Sequence, residues 1–89
     1  MINREIKIIN KLGLHARAAA KFVTMASQFS SNVQLVLKGQ QVNGKSIMGV
    51  MMLAASQGTA LTLVTDGEDE SSAMDALDEL IRNRFGEEE

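Results

Sequence analysis

The amino-acid sequence predicts an α+β fold, an open-faced β-sandwich with elements in the order β-α-β-β-α-β-α. A four-stranded antiparallel sheet would carry three helices on one face and leave the other in water. Three observations predict it. The apolar spacing switches repeatedly between a period of two and steps of three and four, the marks of half-buried strands and amphipathic helices. Turn signals punctuate the switches, at Gly39, Asn43-Gly44 and Asp66-Gly67. The 89 residues, 45% of them apolar, suffice for one core and no second, so residues 1–89 are expected to form a single domain.

The elements follow in order. Ile2, Ile6 and Ile8 alternate with polar or charged positions, as a half-buried strand requires. Lys11-Leu12-Gly13-Leu14 breaks that alternation. From Ala16 the period lengthens: Ala19, Phe22, Ala26 and Phe29, with Met25 alongside, make one apolar helix face, and the alanines favour helix intrinsically. Ser30-Ser31-Asn32 end it. Val33, Leu35 and Leu37 alternate as a second strand, and Gln40-Gln41-Val42 returns from the Gly39 turn as a third. So short a connection makes that pair antiparallel. Ser46 is placed to cap a brief helix through about Leu53. Gly58 precedes a fourth strand, Thr59 to Thr65. The last helix is expected from about Asp69 to Arg84, with Ala73, Met74, Leu77, Leu80 and Ile81 on one face. Acids crowd its first turn and Arg82 and Arg84 its last, the order the helix dipole favours. Glu87-Glu88-Glu89 is expected to be a frayed, solvated tail.

Composition narrows the function classes. The chain has no cysteine, so neither disulfides nor thiolate metal sites are available. Its start, Met1-Ile2-Asn3-Arg4-Glu5, lacks the apolar core of a signal peptide, and no run approaches the roughly 18 apolar residues that span a bilayer. A cytoplasmic protein with no membrane insertion is the expectation. Nucleic acid is a poor partner, because three phenylalanines with no tyrosine or tryptophan leave little to stack bases on, and the net charge is −2. That charge hides a polarity. Residues 1–45 hold seven Lys/Arg against one acid, a net of +6, while residues 46–89 hold two arginines against ten acids, a net of −8. The basic half is suited to an acidic protein or an anionic ligand.

The same half contains the only histidine, in "KLGLHARAAAKF", residues 11–22. His15 stands just before the first helical residue and Arg17 within the first turn. Helix starts leave backbone N–H groups unpaired and carry partial positive charge, which favours anions. Arginine adds a fixed fork of donors suited to phosphate oxygens. Neutral imidazole is a nucleophile with an unperturbed pKa near physiological pH. A phosphoryl group held on His15 is the chemistry this combination serves. A metal is poorly served without a second histidine or a cysteine. Hydrolysis is too, since no acid close in sequence orients the ring. A lone histidine beside a helix start is more often only a cap or a surface residue, and a lone arginine a solvated charge.

The wording of two segments tips that balance. "GLHAR" after a short amphipathic strand, with "NGKSIMGVMML" about thirty residues later, resembles the HPr family. These are the histidine-containing carriers of the bacterial phosphoenolpyruvate-dependent phosphotransferase system, and the resemblance covers the whole chain. It implies that His15 accepts phosphate on Nδ1 from the first enzyme of the system. His15 would then pass it to the A component of a sugar permease or to a regulatory equivalent. It implies that Arg17 contacts the phosphoryl group, that no cofactor is needed, and that the protein is a monomeric carrier rather than an enzyme. Ser46 matches a position that a serine kinase/phosphorylase modifies in some bacteria; from its place alone it caps the short helix. The resemblance further implies a partner-binding patch of Ala20, Lys21, Lys45, Ile47, Met48 and Met51. In a helix so brief, Val50 and Leu53 form the inward pair, which leaves Ile47, Met48 and Met51 nearer the rim. One departure stands out: the family usually has proline after the arginine, and this chain has Ala18. That restores a first-turn N–H and loosens the turn, as a specialised member of the nitrogen-related branch, or a purely regulatory relative, could do.

Overall fold

A computed structural model describes residues 1–89. The strands are β1 (Ile2–Lys7), β2 (Asn32–Leu37), β3 (Gln40–Asn43) and β4 (Ala60–Asp66). The helices are α1 (Ala16–Ala26), α2 (Ile47–Met52) and α3 (Glu70–Arg82), and a 3₁₀ turn, Arg84–Gly86, follows α3. The strands form one sheet in the order β1-β4-β2-β3, and all three pairings are antiparallel. The expected fold class and element order are therefore those observed, with helix ends that differ. α1 stops at Ala26, short of Phe29, and α3 stops at Arg82 rather than Arg84.

Register places the alternating residues in cross-strand rows. Ile6 opposes Leu61, Leu35 opposes both Leu63 and Val42, and Val33 opposes Thr65. Ile6, Ile8, Val33, Leu35, Leu61 and Leu63 are buried in one core with Phe22 of α1, Val50 of α2 and Met74, Leu77 and Ile81 of α3. Burying side chains of this size contributes roughly 1.5–3 kcal/mol each. Gln34, Thr62 and Val64, on the opposite face, remain partly exposed. Arg4 breaks the apolar row beside Leu63, and its charge is met from α3: Nη1 donates to Asp78 Oδ2 at 2.8 Å.

The start of α3 is tied to the end of α1. Asp69 precedes α3 but does not cap it; its carboxylate accepts the backbone N–H groups of Ser30 and Ser31 at 2.9 Å and the Ser31 hydroxyl. The Ser31 hydroxyl and the Ser30 N–H lower the Asp69 pKa from 3.8 to about 2. A carboxyl depressed on folding stabilises the fold above its unfolded pKa, and the contribution disappears as pH falls through the folded one. The stability difference between wild type and Asp69→Asn should therefore narrow from pH 3.8 down to about 2. Denaturant titrations of both proteins across that range measure it, and a constant gap would show that the Asp69 charge is not what ties the two helices.

Candidate functional site

His15 is the N-cap of α1. Its backbone is extended, with φ −73° and ψ 177°, and its carbonyl accepts the first helical bond, from Ala19 N–H at 2.8 Å. The ring also caps: Nδ1 accepts the backbone N–H of Arg17 at 3.3 Å. The N–H groups of Ala16 and Ala18 make no bond within the protein. The Arg17 guanidinium is exposed and forms no ion pair. Open donors and an unpaired cation thus surround Nδ1, in surroundings suited to an anion.

The other ring nitrogen has a partner far along the chain. Nε2 lies 2.5 Å from Oε2 of Glu87, 72 positions away. Because Nδ1 accepts from Arg17 N–H, the proton of the neutral ring sits on Nε2 and points at Glu87. The carboxylate is held in turn by Asn10, fully buried, whose Nδ2 donates to Glu87 Oε1 at 3.0 Å and to the Gly13 carbonyl at 2.8 Å. These donors, Asn10 first and then His15, hold Glu87 below the usual carboxylate range, with Arg17 adding to the effect and burial opposing it. Gly13 closes the loop: it has φ +68°, and a Cβ there would lie 2.5 Å from the Ala55 carbonyl oxygen, so only glycine fits.

This overturns the expectation of a solvated tail. After Arg82 the backbone turns through left-handed conformations at Arg84, Phe85 and Gly86, which folds the chain back toward α1. The Phe85 ring is fully buried, and its carbonyl accepts from Lys21 Nζ at 2.7 Å. Further on, Lys11 N–H donates to the Glu89 carbonyl at 2.5 Å, and Lys11 Nζ pairs with the Glu89 carboxylate at 3.4 Å. An acid does orient the imidazole, although none stands near it in sequence. A recess of about 440 Å³ beside the histidine is lined by Lys11, Leu12, Arg17, Lys21 and residues 86–89.

Known proteins resemble this chain along its whole length. The family model described as "PTS HPr component phosphorylation site" matches residues 2–83. The chain belongs to the HPr family. The phosphocarrier protein HPr of Cupriavidus necator is 61% identical over 89 residues, covering 100% of both chains. Among solved structures, HPr-C-His from Thermoanaerobacter tengcongensis has a TM-score of 0.96 at 49% identity, with 100% of each chain covered. An HPr dimer from the same organism gives 0.79 at 49% identity, covering 98% of this chain and 100% of that one. As a member of the HPr family, the chain is a phosphocarrier of the phosphotransferase system. The family model ends at residue 83, so the tail that reaches His15 lies outside it.

α2 lies antiparallel to α1. Near its start Lys45 Nζ donates to the Phe29 carbonyl at 2.7 Å, past the far end of α1, while beyond its end the Ala55 carbonyl accepts from Leu14 N–H at 2.9 Å. Ser46 caps α2, its Oγ accepting from Gly49 N–H at 3.1 Å. Val50 and Leu53 are buried, whereas Ile47, Met48 and Met51 are exposed, Met48 by 70%. Ala20 and Lys45 are half-buried and Lys21 is exposed. Sequence reasoning missed Met52 and Leu12, exposed by 65% and 66%, which extend the apolar surface toward the histidine. It also missed Asn10, Phe85 and Glu87. A lone phenylalanine followed by glycine in an otherwise charged tail was the available signal.

Ala18 is fully buried in the first turn of α1, and its N–H has no partner. Replacing it with proline therefore removes no hydrogen bond and restricts the unfolded chain. Ala18→Pro should gain roughly 0.4–1 kcal/mol in denaturant titration. A loss would show that helical Arg17, which a following proline disfavours, or the packing around Ala18 outweighs that gain.

Proposed function

We propose that His15 is the phosphoryl acceptor of this carrier. Nδ1 takes phosphate from the phosphorylated first enzyme of the phosphotransferase system and hands it to the A component of a sugar permease or a regulatory equivalent. Arg17 and the open first-turn N–H groups hold the phosphoryl oxygens. The observation that carries this reading is the free side of the imidazole: Nδ1 meets only a 3.3 Å N–H contact at a helix start. The protein works as one unit over residues 1–89, as a monomer in the cytoplasm and without a cofactor. No helix is long and apolar enough to cross a membrane.

Incubation with phosphoenolpyruvate and the purified first enzyme should label wild type and leave His15→Ala unlabelled. The label should be lost in acid and kept in alkali, as a P–N bond requires. Acid-stable label, or label elsewhere in the variant, would refute the assignment. A nitrogen-branch or purely regulatory role is the second reading, favoured by Ala18 where the family usually has proline. Presenting the phosphorylated protein with A components of both branches separates the two.

Ser46 is the proposed regulatory site for a serine kinase/phosphorylase. A phosphate there would add roughly −1.5 to −2 charge beside Ile47 and Met48. Aspartate is a good N-cap, so Ser46→Asp should keep the thermal midpoint while slowing transfer from the first enzyme. Equal transfer rates would remove Ser46 from the surface that enzyme reads.

A further inference from the structure

The chain has no cysteine, tryptophan or tyrosine, so the thioethers of its six methionines are the side chains most readily oxidised. They are unevenly placed. Met74 is fully buried, and Met25 is half-buried against the core. Met1, at the amino terminus, is exposed beside Asp66 and Glu70. The other three, Met48, Met51 and Met52, all lie on α2 and are exposed by 70%, 38% and 65%. Spaced three and four positions apart, they share one face of the helix. The exposed Ile47 borders that face, and α2 contains no charged residue. What holds α2 in place lies elsewhere: Val50 and Leu53 are buried, and Ser46 caps its start through Gly49 N–H. The three sulfurs can therefore change chemically while the packing of α2 stays as it is.

We propose that Met48, Met51 and Met52 form a reversible oxidation site, at which a hydroperoxide turns the apolar face of α2 polar and so withdraws it from partners. This rests on the carrier reading above, with the α2 face as the surface the first enzyme meets. In the forward step a sulfur lone pair attacks one peroxide oxygen and forms an S–O bond. The O–O bond breaks with its electron pair going to the other oxygen. That oxygen takes the proton of the attacked one and leaves as water or an alcohol. Sulfur gives up two electrons and the peroxide gains them. In the reverse step a reductase with a dithiol returns the thioether, the sulfoxide oxygen leaving as water and the dithiol becoming a disulfide. Each sulfoxide puts a strong hydrogen-bond acceptor where a partner would bring apolar surface, and an acceptor buried there without a donor weakens the contact. The hydrogen bonds around His15 involve none of these side chains, so its own chemistry remains available.

Mild treatment with hydrogen peroxide, followed by peptide mapping, gives the first readout. Met48 and Met52 should gain oxygen early together with Met1, Met51 later, and Met25 and Met74 last. Equal rates at Met74 and Met48 would overturn the proposal. The oxidised protein should keep its thermal midpoint and still take phosphate onto His15 from phosphoramidate, a small donor that needs no docking. With the phosphorylated first enzyme its KM should rise by roughly tenfold, the effect of one unpaired acceptor at an interface, and methionine sulfoxide reductases should reverse the rise. An unchanged KM refutes the proposal. So does a lower midpoint or an equal slowing with phosphoramidate, which would place the damage in the fold or at the histidine. The triple variant Met48→Leu, Met51→Leu, Met52→Leu keeps Met1 and should have the same KM before and after peroxide; a rise would assign the effect to another residue. If the first enzyme fails to label untreated protein, the carrier reading falls and takes the switch with it. Protein that is labelled but indifferent to peroxide sinks the switch alone.

Discussion

Ile6, Val33, Leu35, Leu61 and Leu63 put one side of a four-stranded sheet out of water, and the position of every other element follows from covering it. Two helices of 11 and 13 residues supply most of the cover. α1 lays Ala18, Ala19, Phe22 and Ala26 on the sheet, and α3 brings Met74, Leu77 and Ile81. Small alanines let α1 lie close, so its first turn and the histidine before it are held by packing rather than by a flexible loop. Once α3 is docked, the chain leaving it is within reach of the start of α1. The candidate site, His15 with Glu87 against it, is built where those two helix ends meet.

Within that site the two sides of the imidazole are unequal. The Glu87 contact is short and charge-assisted, a class roughly twice as strong as neutral hydrogen bonds. The Arg17 N–H contact, at 3.3 Å, is long and easily displaced. The ring is therefore gripped at Nε2 and left open at Nδ1. Around the open side the donors are the first-turn backbone N–H groups, held by the helix, and the exposed, unpaired Arg17. The exposed apolar residues of α2, Ile47, Met48, Met51 and Met52, form one face, while Leu12 lines the recess beside the histidine together with Lys11 and Arg17. Methionines, as adaptable side chains, suit a face that meets more than one partner.

Much of this was legible in the sequence, because the periods were clean. Alternation at Val33, Leu35 and Leu37 and helical spacing through Ala19, Phe22 and Ala26 are local signals, and the structure keeps them. Ser46 as a cap and Val50 with Leu53 as the inward pair follow from the same local logic. What escaped were contacts made between distant segments. Asn10 reads as loop, yet it is fully buried and bonds across to the tail. Three glutamates at the end of a charged segment look like a solvated tail because nothing near them is apolar except Phe85. The left-handed turn at residues 84–86 also involves Arg84 and Phe85, which rarely adopt that backbone, so composition alone did not announce it.

The span of the His15–Glu87 contact, 72 positions, has a consequence for how the protein comes into being. Closing so long a loop costs entropy that only the assembled core offsets. The contact therefore forms when the sheet, both long helices and the Phe85 anchor are already in place. A partly folded chain carries the same histidine with no carboxylate on it and no helix start to cradle an anion. The orientation of this imidazole is thus a property of the completed fold, and an immature or damaged molecule would present an ordinary, unoriented side chain.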